Sequence, residues 1–179
     1  MCTATVIRSI ASGAASMKNK TVDYTLFDEV CREVITAARY EEMKRYISHS
    51  DITVYQHCLK VARLAYTMAA SRKKTKCDLR ALVRGALLHD YYLYDWHDPN
   101  KGFRWHGFKH HRFALANAEQ DYALTEKEKH IIYTHMFPLT FWCVPRCREA
   151  WYVTIADKRV ATEETMKKYR DKKEKKKKA

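Results

Sequence analysis

Glycine and proline are scarce in this chain, four of one and three of the other among 179 residues. A sequence so poorly supplied with turn residues is suited to long helices. Long apolar runs are missing as well. No window approaches the roughly 18 uninterrupted apolar residues a membrane span needs, which excludes a transmembrane helix. Paired cysteines are absent too: Cys2, Cys31, Cys58, Cys77, Cys143 and Cys147 are scattered and form no disulfide framework. Cys58 and Cys77 stand in apolar helical contexts and read as small buried hydrophobes. Cys143 and Cys147 bracket a proline at a spacing that can share a metal, but no second pair completes a zinc site. The expected compartment is a reducing cytoplasm.

What is present is an ordinary globular composition, 46% apolar, in a chain long enough for one domain with a proper core. Residues 1–20 read as a flexible leader. Arg8 interrupts their only apolar stretch, so they make a poor secretory signal, although their acid-free, Ser- and Arg-containing composition is one that transit peptides share. The motif-bearing domain is expected over residues 21–166. Residues 167–179 form a basic tail that carries +7 of the +13 net charge, leaving +6 for the rest. The tail reads as a solvated helix end, able to make weak contacts with RNA or an anionic surface through phosphate groups. The moderate positive charge of the body fits an anionic substrate.

Helical periodicity dominates. Leu26, Val30, Ile35 and Ala38 recur at helical spacing within Val22 to Arg39, followed by the charged stretch EEMKR. Ser50 or Asp51 is placed to cap the next helix, in which His57, Val61, Ala65 and Met68 share a stripe. Asp78 is a good N-cap for a third helix, whose stripe Leu82, Ala86, His89, Asp90 ends on a His-Asp pair. Tyr91 to Gly107 dissolves into an aromatic and histidine-rich loop. A helix resumes near His110. Thr125 and Glu128 form a capping box that opens another, carrying Ile131, Ile132 and His135. Pro145 is read as the start of a last helix with Val153, Asp157, Val160 and Ala161 on one face. No alternating run of useful length appears, so the fold expected is all-α.

Along these helices His57, His89, Asp90, His110, His135 and Asp157 follow one another, each on or beside an apolar face. Imidazole nitrogen and carboxylate oxygen without thiolate suit Fe, Mn or Zn. A single histidine on an apolar face is ordinarily a satisfied core residue. A carboxylate on such a face is harder to dismiss, because an unpaired buried charge needs a cation or several donors. Two of them, Asp90 and Asp157, lie on different helices beside histidines. Six such residues can hold two ions, and two adjacent ions suggest water activation for attack on phosphorus.

Taken in order, VYQHCLKVA, ALLHD, HHRFALANA, YTHMFPL and TIADKRVA resemble the HD-domain metal-dependent phosphohydrolase superfamily, in its two-metal branch. The resemblance covers about Val54 to Glu164 and implies a helical bundle with a metal site in its core. It implies that His57, His89, Asp90 and Asp157 hold one divalent transition-metal ion. Asp90 would bridge to a second, held by His110 and His135. His110 is preferred to the adjacent His111 because its spacing to Ala114 fits the family pattern. The sequence departs from two well-known branches. It has Phe113-Ala114-Leu115 in place of the Gly-Tyr-Pro signature of cyclic-dinucleotide phosphodiesterases. Tyr91 to Tyr94 stand where alarmone hydrolases place an acidic pair.

The reaction implied is hydrolysis of a small phosphorylated substrate, a phosphomonoester or phosphodiester such as a nucleotide, by a metal-activated water. Lys158 is the first candidate for contact with the phosphate, followed by Arg104 and Lys101. His106, His97 or Asp95 is placed to protonate the leaving oxygen. Tyr92, Tyr94, Trp96 and Trp105 either stack on a base or anchor their loop to the core. Two other readings remain open at this point: a di-iron oxygenase, which uses the same ligand set with O₂, and a non-enzymatic nucleic-acid-binding module built on the tail.

Overall fold

The computed structural model describes residues 22–49, 51–72, 76–95 and 106–178. The leader 1–20 and residues 96–105, with His97, Lys101, Arg104, Trp96 and Trp105, lie outside them, as does the side chain of His106. Among the described residues the fold is all-α. The helices are α1 (Thr25–Thr36), a 3-10 turn (Tyr40–Arg45), α2 (Val54–Ala70), α3 (Leu79–Leu88), α4 (His106–Asp121), α5 (Glu126–Thr134) and α6 (Arg148–Lys178). A two-stranded antiparallel hairpin, β1 (Ile47–His49) with β2 (Ile52–Thr53), precedes α2. No described helix is long and apolar enough to cross a membrane.

Helix α3 is the centre of the bundle. Ala81, Leu82, Val83, Gly85, Ala86, Leu87 and Leu88 are all buried. Only the face with Arg80 and Arg84 is polar, where the two guanidiniums pair with Glu29, Glu33 and Glu128; so wide an apolar surface belongs inside a core. It packs against α1, α2, α5 and α6. Asp78 caps it, accepting from Ala81 N at 3.0 Å, and α5 opens on the Thr125–Glu128 capping box. Segment Tyr91–Tyr92 beyond the His-Asp pair is held rather than loose. Tyr91 Oη donates to Asp121 at 2.7 Å, Asn117 donates to Tyr91 O at 3.0 Å, and the Tyr92 ring is buried against His110. Both tyrosines therefore anchor the chain.

The structure corrects three boundaries. Helix α2 is capped by Thr53, not by Asp51 or by Ser50, which lies outside the described residues. Thr53 and Gln56 exchange side-chain and backbone hydrogen bonds in a capping box, and β2 (Ile52–Thr53) runs directly into the helix. That box satisfies two otherwise orphaned donors at once, which a lone Ser or Asp upstream does not. Helix α1 is shorter than its apolar spacing predicts, and EEMKR winds into the 3-10 turn. Helix α6 begins at Arg148, beyond Pro145. It then continues without a break into the basic tail, with every described side chain from Thr165 to Glu174 exposed.

Gly85 sets the close approach of α3 and α5. A Cβ there would fall 2.7 Å from Ile131 Cγ2 and 2.9 Å from its Cβ. A β-branched stem cannot swing away from that contact. Gly85→Ala gains helix propensity of up to about 1 kcal/mol but overpacks the seam, a cost of about 1–3 kcal/mol. Net destabilisation is expected in a urea melt, and a variant more stable than the parent would contradict this reading of the α3–α5 contact.

Candidate metal centre

Five helical elements deliver the six residues. His57 lies in the first half of α2. His89 is the C-cap of α3 and Asp90 follows it in the turn. His110 sits one turn into α4, His135 is the C-cap of α5, and Asp157 lies in α6. All six are between 0% and 6% exposed. The structure brings every one of them into a single cluster.

Within the cluster, Asp90 presents one oxygen to each of two imidazole pairs. Its Oδ2 faces His57 Nε2 at 3.9 Å and His89 Nε2 at 3.7 Å. Its Oδ1 faces His110 Nε2 at 3.2 Å and His135 Nε2 at 3.3 Å. Asp157 Oδ1 completes the first side, 3.2 Å from His57 Nε2 and 3.8 Å from His89 Nε2. Three residue sets have ligand atoms close enough to share an ion: His57, His89 and Asp90; His89, His135 and Asp157; Asp90, His110 and His135. His135 thus borders both sides.

Orientation is settled by the opposite ring nitrogens. His89 Nδ1 donates to Ala86 O and His135 Nδ1 to Ile132 O, each at 2.7 Å. With the proton there, each Nε2 carries a lone pair directed into the cluster. His89 Nε2 is buried and makes no hydrogen bond, and Asp90 Oδ1, though close to two imidazoles, is aligned for none. Such orphaned acceptors are costly in a core. His110 Nε2 and His135 Nε2, from different helices, converge to hydrogen-bond distance, 3.0 Å. The residues present therefore fit a cation-binding site.

Charge within the cluster is sharply divided. Burial keeps His89 neutral, lowering it to about 4 against the pull of Asp90. Burial also opposes protonation of His57, but hydrogen bonds with Asp157 and Glu164 outweigh it and raise His57 to about 10. Asp90 and Asp157 stay ionised well below the usual carboxylate range. Burial works against this. For Asp90 it is overcome by His89 and His110, and for Asp157 by the hydrogen bond with His57 and by Lys158.

Three neighbours complete the picture. Lys158 Nζ donates to Asp157 Oδ2 at 2.7 Å and to His135 O at 3.2 Å, so its amine fastens a carboxylate of the cluster while its side chain remains 38% exposed. His111 turns away from the cluster. It is fully buried against Tyr133, its two nitrogens make no hydrogen bond, and burial pushes it down to about 4. Glu164, which the sequence reading passed over, accepts from His57 Nδ1 at 3.0 Å. Its signal was available, a carboxylate seven residues after Asp157 on the same helix face. Asp95 is partly buried at the end of its described segment. Cys143 and Cys147 join no metal-type cluster among the described residues, and the five described cysteines are free.

Fold and cluster together define a helical domain with a buried histidine and carboxylate site of metal-binding character. Residues 54–162 match the HD domain, well over half of the chain, and the protein belongs to the HD-domain family. Members of that family bind divalent metals and are typically metal-dependent phosphohydrolases. Comparison with curated proteins and with solved structures gives no match.

Proposed function

We propose that this protein is a metal-dependent phosphohydrolase acting on a phosphomonoester or phosphodiester, such as a nucleotide, with two divalent transition-metal ions, Fe, Mn or Zn. The observation that carries this reading is the division of Asp90, whose two carboxylate oxygens face two different imidazole pairs. A carboxylate so placed is suited to bridge two ions. His57, His89 and Asp157 would complete one site, and His110 and His135 the other. Bound there, the ions would supply an activated water and positive charge against a phosphoryl oxygen.

The remaining work falls to the chain. His89 and His135 hold their Nδ1 protons on backbone carbonyls and turn an unprotonated Nε2 into the cluster. Lys158 fixes Asp157 Oδ2, and its partly exposed side chain is a candidate contact for the equatorial phosphate oxygens. Lys101 and Arg104 are further candidates for that contact. His106 is proposed to donate a proton to the leaving oxygen, with His97 and Asp95 as neighbours on the same side of the sequence. The test is a panel of phosphomonoesters, phosphodiesters and nucleotides incubated with Mn(II), Fe(II) or Zn(II), with O₂ uptake followed in parallel. Hydrolysis without O₂ uptake is expected. Turnover only with O₂ consumed would replace this reading with an oxygenase.

The basic tail stands apart from this chemistry. Its described side chains are exposed, and Lys172 lies eight residues beyond Glu164, about 12 Å along the helix. At about 0.15 M salt, charges act over roughly 8 Å. Deleting Lys172 to Ala179 should therefore leave kcat/KM for a small phosphoester nearly intact, while removing salt-sensitive affinity for RNA or an anionic surface. A loss of more than about tenfold at both low and high salt, roughly 1.4 kcal/mol of transition-state stabilisation, would place the tail in the active site.

A further inference from the structure

We infer that Glu164 is a positioning residue for the metal centre, holding the His57 ring so that its Nε2 is presented to Asp90 and Asp157. This rests on the metal-binding reading above and adds a residue beyond the span that matches the family, which ends at 162.

The argument starts from where each histidine sits in its helix. His89 and His135 follow the last residues of α3 and α5, where terminal carbonyls have no intrahelical partner. Each ring therefore takes the carbonyl three residues back, Ala86 O or Ile132 O, at 2.7 Å. His57 has no such local option. It stands inside α2, where the preceding carbonyls are committed to the helix ladder. Its Nδ1 needs an acceptor from elsewhere, and Glu164 Oε2 arrives from α6 at 3.0 Å.

Glu164 is itself held in place. It is buried to 6% exposure, and its other oxygen, Oε1, accepts from Lys60 Nζ at 2.8 Å. Lys60 is three residues beyond His57 on α2, so the carboxylate bridges two side chains of the same helix face. Asp157 and Glu164 are two turns apart on α6 and grip the two nitrogens of one imidazole: Asp157 Oδ1 lies 3.2 Å from Nε2. A carboxylate behind a ligating imidazole fixes its tautomer and raises its basicity, and such partners typically contribute about 10–100-fold in metal affinity.

The rival explanation is a buried ion pair that merely staples α2 to α6. Co(II) titration of chelator-stripped protein separates the two through affinity and the visible absorption bands. Glu164→Ala should weaken Co(II) about 10–100-fold and shift the bands. Glu164→Gln keeps an acceptor oxygen but not the charge. It should fold as the parent does, recover part of the affinity lost in Glu164→Ala, and still bind Co(II) measurably more weakly than wild type. Lys60→Met removes the Lys60–Glu164 ion pair but leaves the His57–Glu164 contact, and should keep the wild-type band positions. Wild-type affinity and bands in Glu164→Gln would overturn the inference, as would equal shifts in Lys60→Met and Glu164→Gln. Failure of the wild-type protein to bind Co(II) would instead sink the metal reading itself.

Discussion

Replacing Asp90 with alanine should remove metal retention and phosphoester hydrolysis together. Asp90 is the residue common to both sides of the cluster, with His57 and His89 before one oxygen and His110 and His135 before the other. Loss of an outer partner of a metal ligand already costs about 10–100-fold. Loss of a carboxylate that serves two sites should exceed that and leave hydrolysis more than about 100-fold below the parent. The fold should survive, because His89 is neutral in the core and α3 is held by its seven buried apolar positions rather than by this carboxylate. Metal analysis of the purified variant, beside circular dichroism and a phosphate-release assay, checks all three points. A folded Asp90→Ala protein with full metal content and turnover would mean that the cluster is not the active centre.

The second large effect divides the centre into its halves. His110→Ala should leave about one ion per chain, because His110 faces Asp90 Oδ1 and His135 on one side only. His135→Ala should lower metal content by at least as much, since His135 also lies within reach of His89 and Asp157. In both variants hydrolysis should fall with the lost ion, because two ions held here would act jointly on nucleophile and leaving group. Equilibrium dialysis against Mn(II), followed by metal analysis, gives the stoichiometry directly. If neither variant changes it, the centre is mononuclear, and both histidines move from metal binding to substrate contact.

Much of this arrangement was legible in the sequence because its signals are local. Asp78 and the Thr125–Glu128 box announce helix starts through side chains that reach only three residues ahead. The buried stripes of α2 and α3 follow from 3.6-residue periodicity, which also puts His57 and the His89-Asp90 pair on core-facing positions. Where two local signals competed, the reading failed. Ser50 and Asp51 are good cap residues, but Thr53 forms a reciprocal box with Gln56, and the hairpin ahead of it is too short for its alternation to register.

Other features depend on tertiary approach and left little local trace. Nothing about Lys158 says that its amine turns to Asp157 and to the end of α5. The pairing of His57 with Glu164 joins residues 107 positions apart, and only the helix face of Glu164 hints at it. The separation of His110 from His111 is intermediate in kind. Helical neighbours point about 100° apart, so one of the two had to leave the cluster, and the packing of Tyr133 against His111 determines which.

The central claim is that two ions, held by these six residues, drive phosphoester hydrolysis. Its most direct test is an anaerobic titration of chelator-stripped protein with Mn(II) while phosphate release from the best substrate of the panel is followed. The account predicts no activity without metal, a rise as ions are added, and a plateau at two equivalents per chain. A plateau at one equivalent would contradict the dinuclear centre, and two tightly bound ions with no phosphoester cleaved would contradict the function.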